Sequence, residues 1–146
     1  TGVQTCALPI SANHQKMTEL RKEKVAQIAH DIPLQEVSFG ESEGKLAVLG
    51  WGSTYGSIHQ AVKRAVADGM QVSHIHVRYL SPMPSNLCEI LSKFDSVLVP
   101  EMNTGQFIKM IRSEFLIDAQ GLNKIAGQPF KIGEILAAIV EKYQDL

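Results

Sequence analysis

A glycine-rich corner is the part of this sequence whose residue types most directly suggest chemistry. The apolar run 46–49 ends at Gly50 and Gly52, and a helical pattern follows Gly56. A strand that turns through glycines into a helix leaves backbone N–H groups free at the helix start, where an anion can bind. The corner therefore indicates either an anion-binding turn or a structural junction at the edge of a sheet.

The spacing of these glycines disfavours a dinucleotide site. The dinucleotide fingerprint is Gly-x-Gly-x-x-Gly, followed about 20 residues later by an acidic side chain after the second strand. Here Gly56 is displaced by one residue, and Asp68 precedes the second predicted strand. A tight turn in which Ser53 or Thr54 caps the helix explains the same residues. The spacing favours this structural interpretation.

His74 and His76 are two residues apart on a predicted strand, so both side chains should project from one face. Such a pair could supply two zinc ligands, but a zinc site needs at least a third. Cys88 is the only plausible thiolate, and it falls in the apolar stretch of the following helix. Buried histidines that bond to their neighbours or face a subunit are favoured over a metal site.

A polar loop after the third predicted strand holds a second candidate group. Glu101 and Asn103 follow the apolar run 96–99, at the edge of a parallel sheet where ligands bind. The alternative is a loop in which Asn103 or Thr104 caps the next helix. The residues leave both interpretations open.

No complete catalytic apparatus is visible in the sequence. Cys88 has no adjacent base, and neither a Gly-x-Ser-x-Gly elbow nor a P-loop occurs. Fourteen Lys and Arg residues against fifteen Asp and Glu residues give no indication of a nucleic-acid or membrane partner. The second cysteine is Cys6, and two cysteines supply neither a disulfide framework nor a self-contained iron–sulfur site. A reduced, cytoplasmic setting is the simplest interpretation.

Strand and helix patterns alternate along most of the chain. This alternation predicts an α/β fold, a three-layer α/β/α sandwich with a mainly parallel sheet. Strands are predicted at 34–37, 46–50, 72–80, 96–99 and 116–119, and helices at 14–30, 58–66, 87–94, 107–115 and 132–143.

The sequence divides into three parts. Residues 1–10 show no periodicity and resemble a translated sequencing adapter, so we expect a non-native segment. Residues 11–44 hold a strongly charged helix, with Asn13 as its possible N-cap, and a connecting segment. Residues 45–146 form the α/β domain. We expect the chain to lack the N-terminal part of its protein.

Four runs of the α/β domain resemble one enzyme family when they are taken together. They are 50–56 (GWGSTYG), 72–80 (VSHIHVRYL), 99–106 (VPEMNTGQ) and 121–130 (GLNKIAGQPF). In this order they resemble the C-terminal part of the α subunit of 2-oxoacid:ferredoxin oxidoreductases, most closely the 2-oxoglutarate type. The similarity covers about residues 12–146, and 13–29 resembles the linker helix that follows the family's pyrimidine-binding domain.

The resemblance implies a transketolase C-terminal-like domain within a larger enzyme. The whole enzyme of that family uses thiamine diphosphate with Mg²⁺, iron–sulfur clusters, coenzyme A and ferredoxin. Its cofactor contacts lie in the preceding α-subunit domain, in the β subunit and in cysteines outside this region. The resemblance therefore assigns no catalytic, cofactor-binding or metal-binding residue to this chain. We expect the isolated fragment to be inactive and to serve structure and assembly.

We expect this domain to meet another domain or subunit through its strand-edge loops. The candidate contact or site-supporting residues are Trp51, Gly52, Ser53, Tyr55, Glu101 and Asn103. One alternative is a stand-alone module that binds a small anion or nucleotide at the helix N-terminus 53–56. Another is the C-terminal domain of a different thiamine enzyme, a transketolase or a pyruvate dehydrogenase E1 β subunit.

Overall fold

The computed structural model describes residues 11–146. The expectation of an adapter-derived segment at 1–10, which includes Cys6, lies outside these residues. The described part contains helices α1 (Ser11–Gln27), α2 (Tyr55–Ala67), α3 (Leu87–Leu91), α4 (Gln106–Phe115) and α5 (Ile132–Gln144). Its strands are β1 (Val37–Phe39), β2 (Gly44–Trp51), β3 (Val72–Val77), β4 (Phe94–Glu101) and β5 (Ala119–Asn123). Short 3₁₀ turns cover Ile28–His30 and Gly52–Thr54.

The five strands form one sheet in the order β1-β3-β2-β4-β5. Strands β3, β2, β4 and β5 are parallel, and β1 joins the edge antiparallel to β3. In the centre, Leu46 of β2 lies opposite Val72 on one side and Ser96 on the other. Because the parallel strands point the same way, the loops that follow them meet at one carboxyl edge.

Helices cover both faces of the sheet, which confirms the predicted three-layer α/β/α sandwich. Strand β2 alternates between the two cores: Val48 packs with α2 and α5, and Leu49 packs with α3 and α4. Side chains at 46–49 are fully buried, as expected for a parallel strand covered on both faces. The apolar run in the sequence is thus the central strand.

Several predicted helix and strand boundaries are wrong because pairing between strands overrides the local hydrophobic pattern. Phe94 begins β4 and is not the last residue of α3. The strand predicted at 116–119 lies at Ala119–Asn123, since Leu116 has a φ of 55° and ends α4. The strand predicted at 34–37 is β1, Val37–Phe39, which pairs with Ile75 and His74.

Helix α1 precedes the sandwich. It covers Ser11–Gln27, so Asn13 lies inside it and is not its N-cap. Its large apolar side chains are exposed: Met17 by 40%, Leu20 by 48% and Val25 by 47%. Among residues 11–146, no helix is both long enough and apolar enough to cross a membrane. The linker role of α1 stays a prediction.

Candidate functional site at the carboxyl edge of the sheet

A crevice opens at the carboxyl edge between the neighbouring strands β2 and β4. Helix α2 leaves β2 toward one face, and α4 leaves β4 toward the other, as their separate cores show. Diverging loops of this kind create the crevice in which open α/β sheets place ligands. The crevice has a volume of about 80 Å³ and is lined by Trp51, Gly52, Ser53, Thr54, Met102 and Asn103.

The fold therefore brings four predicted site residues together: Trp51, Gly52, Ser53 and Asn103. The crevice is far smaller than the roughly 300–1,000 Å³ of ordinary ligand pockets. A nucleotide does not fit such a volume, which counts against the stand-alone nucleotide module. The size suits the tip of one inserted side chain.

The glycine corner is shaped by close packing. Strand β2 runs to Trp51, and the 3₁₀ turn Gly52–Thr54 leads directly into α2. A Cβ at Gly50 would overlap Ile58 Cδ1 and lie 3.1 Å from Thr54 Oγ1, so the absence of a side chain lets α2 approach the sheet. Gly52 has a φ of 59°, a conformation that favours glycine.

The predicted cap of α2 is wrong. Neither Ser53 nor Thr54 bonds to a backbone N–H of that helix. Thr54 Oγ1 instead donates to the Trp51 carbonyl oxygen at 2.8 Å, which closes the turn on itself. Ser53 Oγ lies 3.8 Å from Met102 Sδ, so the two sides of the crevice touch there.

Asn103 caps α4, as one of the two interpretations predicted, and Glu101 caps the same helix. Glu101 is fully buried, and its Oε2 and Oε1 accept hydrogen bonds from the backbone N–H groups of Phe107 at 3.0 Å and Ile108 at 2.7 Å. Asn103 Oδ1 accepts from the N–H groups of Gly105 at 2.7 Å and Gln106 at 3.0 Å. Glu101 therefore has no surface with which to touch a ligand or partner directly.

Tyr55 covers a cluster of histidines beside the crevice. Its ring stacks on His59 with centroids 5.4 Å apart and a 10° tilt, and it lies 5.1 Å from His74 and 5.0 Å from His76. The predicted placement of His74 and His76 on one face of a strand is confirmed by these contacts. Tyr55 itself is 43% exposed.

Burial within this cluster disfavours the charged forms of His74 and His76. His74 is fully buried, and both of its ring nitrogens are without hydrogen-bond partners among the described residues. Burial, followed by the neighbouring His76 and His59, lowers the pKa of His74 from 6.5 to about 3. Burial, followed by Arg78, lowers the pKa of His76 as well. Imidazolium is therefore disfavoured at His74 near neutral pH.

Two members of this cluster were missed by sequence reasoning. His59 lies four residues after Tyr55 on α2, a spacing that places both side chains on one helix face. Phe39 contacts His59 edge-on with centroids 5.4 Å apart. The i,i+4 spacing was a usable signal for His59. Phe39 joins the cluster because β1 pairs with β3, which the sequence does not indicate.

Metal-binding side chains are not clustered in the described part of the chain. Cys88 is a free, partly buried thiol. Across residues 11–146, no group of three or more His, Cys, Asp or Glu side chains is arranged to hold a metal ion. These residues therefore do not fit an iron–sulfur cluster or the Mg²⁺ site of a thiamine diphosphate.

The model of the family described as "Pyruvate:ferredoxin oxidoreductase core domain II" matches residues 44–135, which include the strands β2 to β5 and the crevice between β2 and β4. The chain belongs to this family. Among curated relatives of the chain, the "2-oxoglutarate oxidoreductase subunit KorA" of Mycobacterium tuberculosis is 40% identical over 123 residues. That alignment covers 84% of this chain and 18% of the relative.

Solved structures share the fold of this chain. The 2-oxoglutarate:ferredoxin oxidoreductase of Magnetococcus marinus, solved with 2-oxoglutarate, coenzyme A and succinyl-CoA bound, is 30% identical with a TM-score of 0.83. It covers 91% of this chain, which covers 24% of that one. A split-gene transketolase, an inactive β4 tetramer, has a TM-score of 0.58 at 17% identity. The match covers 78% of this chain and 45% of that chain, and it shows the fold alone.

The relatives are much longer than this chain. The chain spans about a fifth of the curated α subunits that it matches, 18% of KorA and 21% of an Aeropyrum pernix 2-oxoacid:ferredoxin oxidoreductase α subunit. The expected likeness to the C-terminal part of such α subunits and to the transketolase C-terminal-like fold is confirmed.

Proposed function

We propose that this chain is part of the α subunit of a 2-oxoglutarate:ferredoxin oxidoreductase. In the full complex, the enzyme oxidatively decarboxylates the 2-oxoacid to its acyl-CoA and reduces ferredoxin. The observation that carries this proposal is the 40% identity to KorA through most of the described chain. The TM-score of 0.83 to an enzyme solved with 2-oxoglutarate and coenzyme A supports the same substrate type.

Within that enzyme, the role of this domain is structural and assembly-forming. Its carboxyl edge offers a small crevice and the half-exposed ring of Tyr55, which suit contact with another protein domain. Trp51 Nε1 is buried without a hydrogen-bond partner among the described residues, as expected of a group whose partner lies on another domain. Glu101 contributes indirectly because it fixes α4 beside the Asn103 loop.

The partners are the N-terminal part of the α subunit, the β subunit and, through the complex, ferredoxin. Thiamine diphosphate, Mg²⁺, the iron–sulfur cluster and coenzyme A belong to those other parts in this proposal. Helix α1, with its exposed apolar side chains, is the connection to the preceding domain. The complex works in the cytoplasm, where thiols such as Cys88 stay reduced.

A chimeric enzyme tests the proposed function. The matching segment of M. tuberculosis KorA is replaced by residues 11–146, and the chimera is produced with its β subunit. We expect it to assemble and to reduce ferredoxin with 2-oxoglutarate and coenzyme A, because the 40% identity spans this segment. A control chimera carries the structurally similar transketolase domain, 17% identical to this chain, and should fail. Equal failure of both chimeras would overturn the proposal.

Variants of the chimera test the assembly role. Trp51→Ala and Tyr55→Ala should lower co-purification of the β subunit or the turnover of the complex. Val66→Ala is the matched control because Val66 is similarly exposed at 37% but lies near the other end of α2. Asn103→Ala tests the loop. Normal assembly and normal turnover of all edge variants would contradict an interface at this edge.

A further inference from the structure

A second and larger cleft lies at the other side of the carboxyl edge, next to β1. It is lined by the segment 33–38 and by His76, Arg78, Tyr79 and Pro84, and we call it the Arg78 cleft. Its volume of about 470 Å³ is within the range of small-molecule sites, roughly 300–1,000 Å³. Arg78 directly follows the last residue of β3, where the loops of parallel strands bind ligands.

One wall of the Arg78 cleft is held in place by hydrogen bonds. The backbone N–H of Gln35 donates to Asn86 Oδ1 at 2.8 Å, and Asn86 Nδ2 donates back to the Gln35 carbonyl oxygen at 3.0 Å. Gln35 Nε2 also donates to the His76 carbonyl oxygen at 3.1 Å, which links the segment to β3. A wall fixed in this way loses little conformational entropy when a ligand binds.

Arg78 is the basic side chain among the residues that line the Arg78 cleft. The ion pairs between described residues join other side chains, and Arg78 takes part in none of them. Its guanidinium offers five N–H donors in a planar fork that matches a carboxylate or phosphate. Tyr79, 46% exposed, adds a hydroxyl. Glu36 lines the same cleft, so a bound anion must lie on the Arg78 side.

We propose that the Arg78 cleft binds a small molecule through its carboxylate or phosphate group, with Arg78 as the charge partner and Tyr79 as a second donor. The site is separate from the crevice between β2 and β4, and it does not depend on the proposed function. The volume admits a ligand larger than the anionic group itself. The rest of the ligand lies along the 33–38 segment.

An NMR titration of the chain tests this site. Inorganic phosphate and succinate are added in separate ¹H–¹⁵N experiments, each compared with sodium chloride at equal ionic strength. Saturable shifts of Gln35, Arg78 and Tyr79 are expected with one of the two anions, and the anion that binds more tightly identifies the ligand class. Shifts that match those of chloride would overturn the proposal.

Charge variants test whether anion binding depends on the positive charge of Arg78. Arg78→Gln should weaken anion binding by about tenfold or more, since it removes the charged fork. Arg64→Gln is the matched control because Arg64 is an exposed arginine on α2 that does not line the cleft. Glu36→Gln should tighten anion binding severalfold, because it removes a negative charge that repels the anion. This variant tests the proposal even if Arg78→Gln does not fold. Equal affinities across the variants would contradict the assignment.

Discussion

The buried carboxylate of Glu101 accepts a 2.7 Å hydrogen bond from the backbone N–H of Ile108. Its other oxygen accepts from the N–H of Phe107, so one side chain from the end of β4 holds the first turn of α4. A negative charge at this position also interacts favourably with the positive end of the helix dipole. The strand edge thereby gains a fixed loop from 102 to 105 on one side of the crevice.

Replacement of Glu101 with Gln should destabilise the fold. An amide offers only one acceptor oxygen, and its NH₂ group would face a backbone donor in a fully buried place. The expected loss is about 1–3 kcal/mol in the free energy of unfolding, measured by urea denaturation. Glu114→Gln, on the exposed surface of α4, is the control and should change little. A Glu101 variant as stable as this control would show that the cap is dispensable.

Alanine substitutions at Gly50 and Gly56 should have opposite effects on stability. At Gly50 the added Cβ overlaps Ile58, which is fully buried, so a loss of roughly 1–3 kcal/mol is expected. At Gly56 a Cβ meets nothing within 4 Å, and alanine in a helix is more favourable than glycine by about 0.5–1 kcal/mol. Thermal or urea unfolding measures both. Effects of the same sign would contradict this description of the corner.

His74 should make the fold sensitive to acid. Its pKa is about 3 in the folded chain against 6.5 ordinarily, so the unfolded state binds a proton first as the pH falls. Stability is therefore greatest above pH 6.5 and is lost toward pH 3, at up to about 1.4 kcal/mol per pH unit from this residue. His74→Phe keeps an aromatic ring and should flatten the pH dependence of the urea midpoint. An unchanged dependence would assign acid sensitivity to other groups.

Removal of the Arg78 charge should raise the pKa of His76. Burial is the larger cause of the depressed pKa, and the nearby guanidinium adds to it. The pKa of the His76 ring, followed by ¹H NMR from pH 4 to 8, should therefore be higher in Arg78→Gln than in the unaltered chain. Arg64→Gln should leave it unchanged. An unchanged pKa in the Arg78 variant would place the guanidinium away from this ring.

The layers of the fold follow from local sequence. The apolar run 46–49 and the helical stripes around it specify a buried central strand and helices on both faces, because each element must cover its apolar side. Strand edges were less predictable. Leu116 turns the chain before β5, and β5 itself is polar and half-exposed, so its pairing with β4 leaves no hydrophobic alternation to read.

The candidate site, like the fold, was predictable from the sequence only in part. Sequence alone placed Trp51, Gly52, Ser53 and Asn103 at strand ends, and strand direction then brought them to one crevice. Only the tertiary structure decided that Glu101 points inward to cap α4 and that Tyr55 covers three histidines. The strand and helix patterns are local and can be read from periodicity. The partner of a buried polar group depends on which distant segments the folded chain brings within hydrogen-bond distance.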